Sequence, residues 1–328
     1  TILTYACFTG LSFFATQWWH LMIFRFVAAL GIGGEWAAGS ALVSETLHSK
    51  HRAWASATLQ SGYMIGCIFA ALTAGWMAHL PPKWVFVVGI TPALLTFWIR
   101  AAVPEPDEWT KAAKHQKAPP LSTLFSGELL RTTLMTVGLT GVALTTVWAF
   151  LFFGPQAIKG IAEVQTWTPQ EQQRLTTNVT VVYLLVNIAG NFFATYLAQW
   201  LGYRKAFTIL FAISLASYLY LFYHPLTLGN VYWVMSLGAF FSLGLFGLFP
   251  LYIPPLFPCL VRTLGAGFTY NAGRLISAAG AYFGGLIAAN AGGPHKVIFW
   301  TGLLYIPGLL IAMRAPMHPV DDRQEGTR

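Results

Sequence analysis

Between Ala206 and Val261 the chain carries no Asp, Glu, Lys or Arg, and the same holds for residues 1–24, 53–82, 132–158 and 175–203. Uncharged runs of this length constrain the fold more than any motif does. A soluble domain covers its surface with charge, whereas a helix in hydrocarbon must do without it. Only 9% of the 328 residues are charged and 56% are hydrophobic, too little charge to solvate a globule of that size. A crossing needs roughly 20 apolar residues at about 1.5 Å each. The run from Ala206 to Val261 is too long for one crossing, and His224-Pro225 and Gly229-Asn230 divide it into two.

The remaining breaks give ten spans, near 1–16, 18–46, 53–79, 83–102, 131–157, 175–201, 204–223, 229–256, 263–291 and 295–315. The runs are long and continuously apolar, so they read as helices. Barrel strands would be shorter and would alternate polar with apolar. The expected fold is an all-α polytopic membrane protein. Its organisation divides into four spans over 1–102, a Pro-rich charged linker over 103–130, six spans over 131–316, and a tail over 317–328.

A net charge of +8 invites a nucleic-acid reading, but the distribution argues otherwise. With alternate loops assigned to opposite sides, thirteen Lys and Arg fall on one side and four on the other, leaving Arg25 and Arg274 inside spans. The positive-inside rule places the first set, and the C-terminal tail, in the cytoplasm of a plasma (inner) membrane protein. The basic balance is therefore a topology signal. Cys7, Cys67 and Cys259 lack ligand-like spacing and read as packing residues, with no metal site.

Sliding the chain by 210 residues brings two helix pairs into register, Arg52 on Arg262 and Gly75 on Gly285. Both pairs are rich in Gly and Ala, which lets membrane helices approach closely. Two related halves joined by a cytoplasmic linker suit a carrier whose halves rock about a midplane site.

The run Arg25-Phe26-Val27-Ala28-Ala29-Leu30-Gly31-Ile32-Gly33-Gly34-Glu35-Trp36, followed by Glu45 and Arg52, resembles the fourth helix of the major facilitator superfamily. It is most similar to the metabolite:proton symporters and their sialate and aromatic-acid relatives. Val103-Pro104-Glu105-Pro106-Asp107-Glu108-Trp109 is similar to the signature after that family's sixth helix, and Leu256-Phe257-Pro258 through Arg262, Gly265, Gly267, Asn271, Gly273 and Arg274 to its turn between helices ten and eleven. The resemblance implies a two-half helical bundle in which the ten spans are family helices three to twelve. The first two helices are then lacking, in keeping with an N-terminal truncation. The sequence departs from the family in two places. Pro255 stands where an acid usually precedes Leu-Phe-Pro, and Gln199-Trp200 stand where an Asp-Arg pair is usual. The expectation is that the gate of the second half is held by packing more than by ion pairs.

A charged side chain at membrane depth costs several kcal/mol and needs a reason to be there. Glu35 lies well inside its span, roughly mid-membrane, where a carboxylate can bind and release a proton or brace neighbouring helices. Arg274 sits at similar depth in the other half, its planar fork suited to Glu35 or to a substrate carboxylate. The expected proton-coupling residues are Glu35 and Arg25. The expected substrate-binding set is Arg274, Asn271, Tyr270, Tyr183, Asn187, Asn191 and Gln60. Tyr183, Asn187, Asn191 and Thr195 recur every four positions, a polar face that lines either a cavity or a helix contact. The expected cytoplasmic gate is Glu45, Arg52, Arg204 and Arg262.

The functional expectation is a secondary transporter for a small organic solute, an anion such as a carboxylate or sugar acid, by proton symport with alternating access. The alternatives are a neutral-metabolite or sugar carrier, an uncoupled facilitator, or a non-transporting receptor. An enzyme is disfavoured: there are no paired intramembrane aspartates, no His-Glu-x-x-His and no phosphate-cradling loop. The expected partners are solute, protons and the lipid bilayer, with no cofactor, nucleic acid or obligate protein partner.

Overall fold

The computed structural model describes residues 2–77, 79–91, 119–290 and 292–316. Most of the expected linker, the end of the fourth span and the tail from 317 fall outside the described residues. The described chain is almost entirely helical, and no strand occurs among those residues. Among the described residues, seven helices are long and apolar enough to cross a membrane.

The principal helices are α1 (Ile2–Leu11), α2 (Trp18–Thr46), α3 (Ser49–Trp76), α4 (Gly127–Lys159), α5 (Pro169–Leu201), α6 (Tyr203–Leu221), α7 (Val231–Ser242), α8 (Cys259–Asn290), α9 (Pro294–Gly302) and α10 (Tyr305–Ala312). Between α3 and α4 lies a short helix at Val85–Val88, within the expected fourth span. The longest helices run 28 to 33 residues, enough to cross the hydrocarbon with turns to spare.

Where the sequence supplies helix-end chemistry, the ends follow it. Thr168 and Glu171 form a reciprocal capping box at the start of α5, and Pro169 occupies the first turn, where its missing N–H costs nothing. The same helix stops at Gly202, whose φ of +81° suits glycine, and α6 begins at once.

The spans expected as continuous helices over 229–256 and 295–315 are broken. After α7 the chain passes through a 3-10 stretch at Gly244–Leu248, a short helix at Phe249–Tyr252 and another 3-10 turn at Pro254–Leu256. Pro250, Pro254 and Pro255 offer no N–H to the preceding turn. Gly244 and Gly247 sit directly on the backbone of α5: a Cβ on Gly244 would stand 2.7 Å from the carbonyl carbon of Gly190. The break thus lets two backbones touch where side chains would hold them apart. The second break, between α9 and α10, falls just before Pro307-Gly308.

The central packing is between α4 and α8. A Cβ on Gly273 would meet the Thr140 hydroxyl at 2.7 Å, and that hydroxyl lies 2.9 Å from the Thr269 carbonyl. Small residues and hydroxyls make this seam, as expected where lipid gives helices no hydrophobic reason to associate. Around it, α5, α6, α7, α9 and α10 enclose an aromatic core of Phe150, Tyr218, Phe222, Phe211 and Tyr305. Its polar tips are paired internally: Tyr218 Oη lies 2.9 Å from Ser242 Oγ, and Thr146 Oγ1 lies 2.9 Å from Tyr305 Oη. The earlier helices α2 and α3 pack against α5, α8 and the broken stretch after α7.

Candidate solute site

Helices α2 and α8 lie antiparallel, and their contacts define a register. The Nδ2 of Asn271 faces the Gly33 carbonyl at 3.3 Å, and the ring of Tyr270 stacks on Trp36 at 3.9 Å and 14°. A Cβ on Gly267 would stand 3.1 Å from Ala37. At the far end, Arg262 Nη1 donates to Glu45 Oε1 at 3.1 Å. The seam is closed along its whole length from Asn271 to Arg262. By the same register, Arg274 stands about one helical turn beyond Glu35, toward the end away from the ion pair. The two mid-span charges expected from sequence do occupy neighbouring depths.

Arg274 is half-buried. Its Nη1 donates to Asn271 Oδ1 at 3.1 Å, and its guanidinium carbon lies 5.1 Å from the centroid of the Tyr270 ring. Tyr63 of α3 lies within electrostatic reach of both Tyr270 and Arg274, and its hydroxyl engages Cys67. Tyr183 of α5 is buried edge-on against Phe150 of α4, with ring centroids 5.4 Å apart, in the aromatic core. Arg274 and the stacked Tyr270–Trp36 pair therefore form one group across α8 and α2, with Tyr63 of α3 within electrostatic reach. A guanidinium fixed by a neutral amide and an aromatic face keeps donors in its fork for a carboxylate. Glu35 is half-buried on α2 and acts on Tyr5 of α1, while Arg25 is exposed further along the same helix.

The polar face of α5 is turned inward and serves helix contact. Asn187, Asn191 and Thr195 are fully buried. Asn191 Nδ2 lies 3.2 Å from Ser61 Oγ of α3, and Asn187 Nδ2 reaches the Ala239 carbonyl of α7 at 3.4 Å. Their Oδ1 atoms, and the indole N–H of Trp36, are buried without a partner among the described residues. Unpaired buried polar atoms are costly, and in a carrier they mark places where water or solute can complete the bonding. Gln60 is buried on α3 beside Ser61. Ser56 Oγ, one turn away, donates to the freed Gly247 carbonyl at 2.7 Å.

The four residues expected at the gate separate into two kinds. Glu45 and Arg262 pair across α2 and α8, with side chains 5% and 17% exposed. Arg52 and Arg204 instead bind carbonyls near helix ends, Arg52 Nε to Leu47 and Arg204 Nε and Nη2 to Ala315. Arg52 and Arg262, in register in the internal repeat, are each the fourth residue of their helix. The expectation that packing replaces ion pairs fits the surroundings of Arg204. It does not fit Arg262, whose charge meets the acid of α2.

Sequence reading did not single out Trp36, Ser56, Ser61 or Cys67 as site residues. Trp36 stood inside the family-like run beside Glu35, but an indole on an apolar helix has no signature distinguishing a site wall from packing. Serines 56 and 61 gain meaning only from α5 and the broken stretch opposite them.

Long apolar helices in contact around half-buried charges, with a closed seam at one end, define a multi-pass membrane carrier of solutes. Residues 1–264 match the family model of the Major Facilitator Superfamily, and the chain belongs to that superfamily. It is a transporter of this family and not an enzyme. The chain is 31% identical over 307 residues to a probable 4-methylmuconolactone transporter of Cupriavidus pinatubonensis, covering 89% of this chain and 68% of that one. It is 30% identical over 282 residues to the sialic acid transporter NanX of Escherichia coli, covering 83% and 65%. It thus spans about two thirds of the length of these curated relatives. The solved structure of the proton:xylose symporter XylE bound to 6-bromo-6-deoxy-D-glucose shares the fold, with a TM-score of 0.73 at 13% identity over 96% of this chain and 79% of that one.

Proposed function

We propose that the chain moves a small organic anion by proton symport, with two helical bundles rocking about the Arg274 group. The observation that carries this reading is the placement of Arg274 at the middle of α8, held by Asn271 and the Tyr270 face, with Trp36 of α2 stacked on that ring and Tyr63 of α3 within electrostatic reach. In that reading residues 1–102 and 131–316 are the two bundles, and 103–130 is the cytoplasmic linker. Arg274 anchors the solute carboxylate, while Tyr270, Asn271, Tyr183, Gln60, Asn187 and Asn191 complete the wall or the contacts behind it. Glu35, about one turn away, carries the coupling proton, with Arg25 on the path toward the outer face. The Glu45–Arg262 pair closes the cytoplasmic end, and Arg52 and Arg204 hold the helix ends that move with it. The positive-inside bias supports an inner-membrane location with the C-terminus in the cytoplasm. The substrates named for the two relatives, 4-methylmuconolactone and sialic acid, support a small organic metabolite and, for the second, an acid.

Transport in proteoliposomes tests the scheme. Arg274→Gln should abolish saturable uptake of the acidic solute identified by a counterflow screen. Glu35→Gln should remove stimulation by an inward proton gradient while leaving counterflow of preloaded solute. Wild-type affinity in Arg274→Gln would remove the anchoring role, and an unaltered gradient response in Glu35→Gln would remove the coupling role.

A further inference from the structure

Away from the solute site, the outer surface of the bundle carries a groove of about 440 Å³ lined by Leu201, Arg204, Lys205, Thr208, Ile209 and Met313. It lies where α5 passes into α6 and where α10 ends. The walls are apolar: Met313 is 48% exposed, and Leu201 and Ile209 are partly exposed. Apolar surface of this kind faces lipid without penalty. The neighbouring indole of Trp200 is 76% exposed, the behaviour of a tryptophan at the headgroup level.

Among the described residues, the two cations at this groove lack an acidic partner. Arg204 is tethered by its Nε and Nη2 to the Ala315 carbonyl at 3.3 and 3.0 Å, which fixes the guanidinium. Lys205 is exposed, and no described acidic side chain pairs with either residue. The preceding positions, Gln199 and Trp200, are uncharged, so no carboxylate arrives from that side either. A fixed and a mobile cation above an apolar channel match one chemistry, a phosphate ester joined to an acyl chain.

We propose that the groove holds one anionic phospholipid, its phosphate against Arg204 and Lys205 and one acyl chain along Leu201, Ile209 and Met313. The lipid bridges α6 to the end of α10 and supplies a negative charge to the two cations. This assignment does not depend on which solute is carried.

Native mass spectrometry of the full chain tests it, with equal amounts of dioleoyl-phosphatidylglycerol and dioleoyl-phosphatidylcholine added to the detergent-purified protein. The expected result is preferential retention of one phosphatidylglycerol. Lys205→Gln should lower that retention about fivefold, the attraction of one cation near the surface, and leave phosphatidylcholine unchanged. Met313→Trp, which fills the channel without altering charge, should lower retention of both lipids. Equal retention of the two lipids, or unchanged phosphatidylglycerol retention in Lys205→Gln, would overturn the proposal. So would loss of the preference in millimolar inorganic phosphate, which would reduce the site to a free-anion contact.

Discussion

Replacing Glu45 with Gln keeps the size of the side chain and removes the charge that meets Arg262 across the α2–α8 seam. At the observed 3.1 Å the gross attraction is about 5 kcal/mol for an effective dielectric of about 20. Much of this is offset by desolvation, since the two side chains are only 5% and 17% exposed. A charge-assisted hydrogen bond retains about 2 kcal/mol net, which corresponds to about a 30-fold change in a two-state equilibrium. The closed seam should lose that much relative to any state in which α2 and α8 separate. The readout is alkylation of a cysteine placed at Ala37, which is 4% exposed and faces Gly267 along the closed seam. In a background lacking Cys7, Cys67 and Cys259, Glu45→Gln should speed labelling about 30-fold, in proportion to the open fraction. The exchanged pair Glu45→Arg with Arg262→Glu should bring the rate back to within a few-fold of the parent. A labelling rate that stays within twofold of the parent in Glu45→Gln would refute the reasoning. So would single variants at 45 and 262 whose effects simply add, because a real pair must show coupling.

Four further outcomes follow from the packing and from a helix end. Gly244→Ala pushes a methyl into the backbone of Gly190 and should destabilise the bundle by at least about 1–3 kcal/mol, read as a lower thermal midpoint in detergent. Gly285→Ala, where a Cβ meets nothing within 4 Å, should not lower that midpoint and should raise it slightly, since alanine is the better helix former. Tyr218→Phe removes the buried contact with Ser242 and should cost about 1 kcal/mol with solute affinity intact, since the aromatic core lies apart from Arg274. Thr168→Ala dissolves the capping box of α5 and should cost about 1 kcal/mol, seen as faster amide exchange confined to the first turn near Pro169.

Much of the candidate site was legible in the chain because charge in hydrocarbon is conspicuous. Glu35 and Arg274 could be found by counting residues from span ends, since helical rise converts position to depth. Glu45 and Arg262 could be named as gate residues, but their pairing with each other could not. Sequence distance carries no information about which of several basic turns an acid will meet. The polar face of α5 was equally visible, yet its residues turn toward Ser61 and the α7 carbonyl, a choice made by the neighbouring helices.

The sequence by itself determined that this chain lives in a bilayer, where its helices lie and which charges must be sheltered. Those properties follow from local composition and from the energetic cost of charge and unpaired backbone in oil. Pro250, Pro254 and Pro255 weaken the helix over 243–256 from within the sequence, but only the tertiary structure decided how it opens, because Gly190 and Asn191 of another helix offer bare backbone to Gly244 and Gly247. It also decided that Trp36 would stack on Tyr270 beside Arg274, and that Arg204 and Lys205 would overhang an apolar groove. Contacts of that kind join residues far apart in the chain, and packing alone selects them.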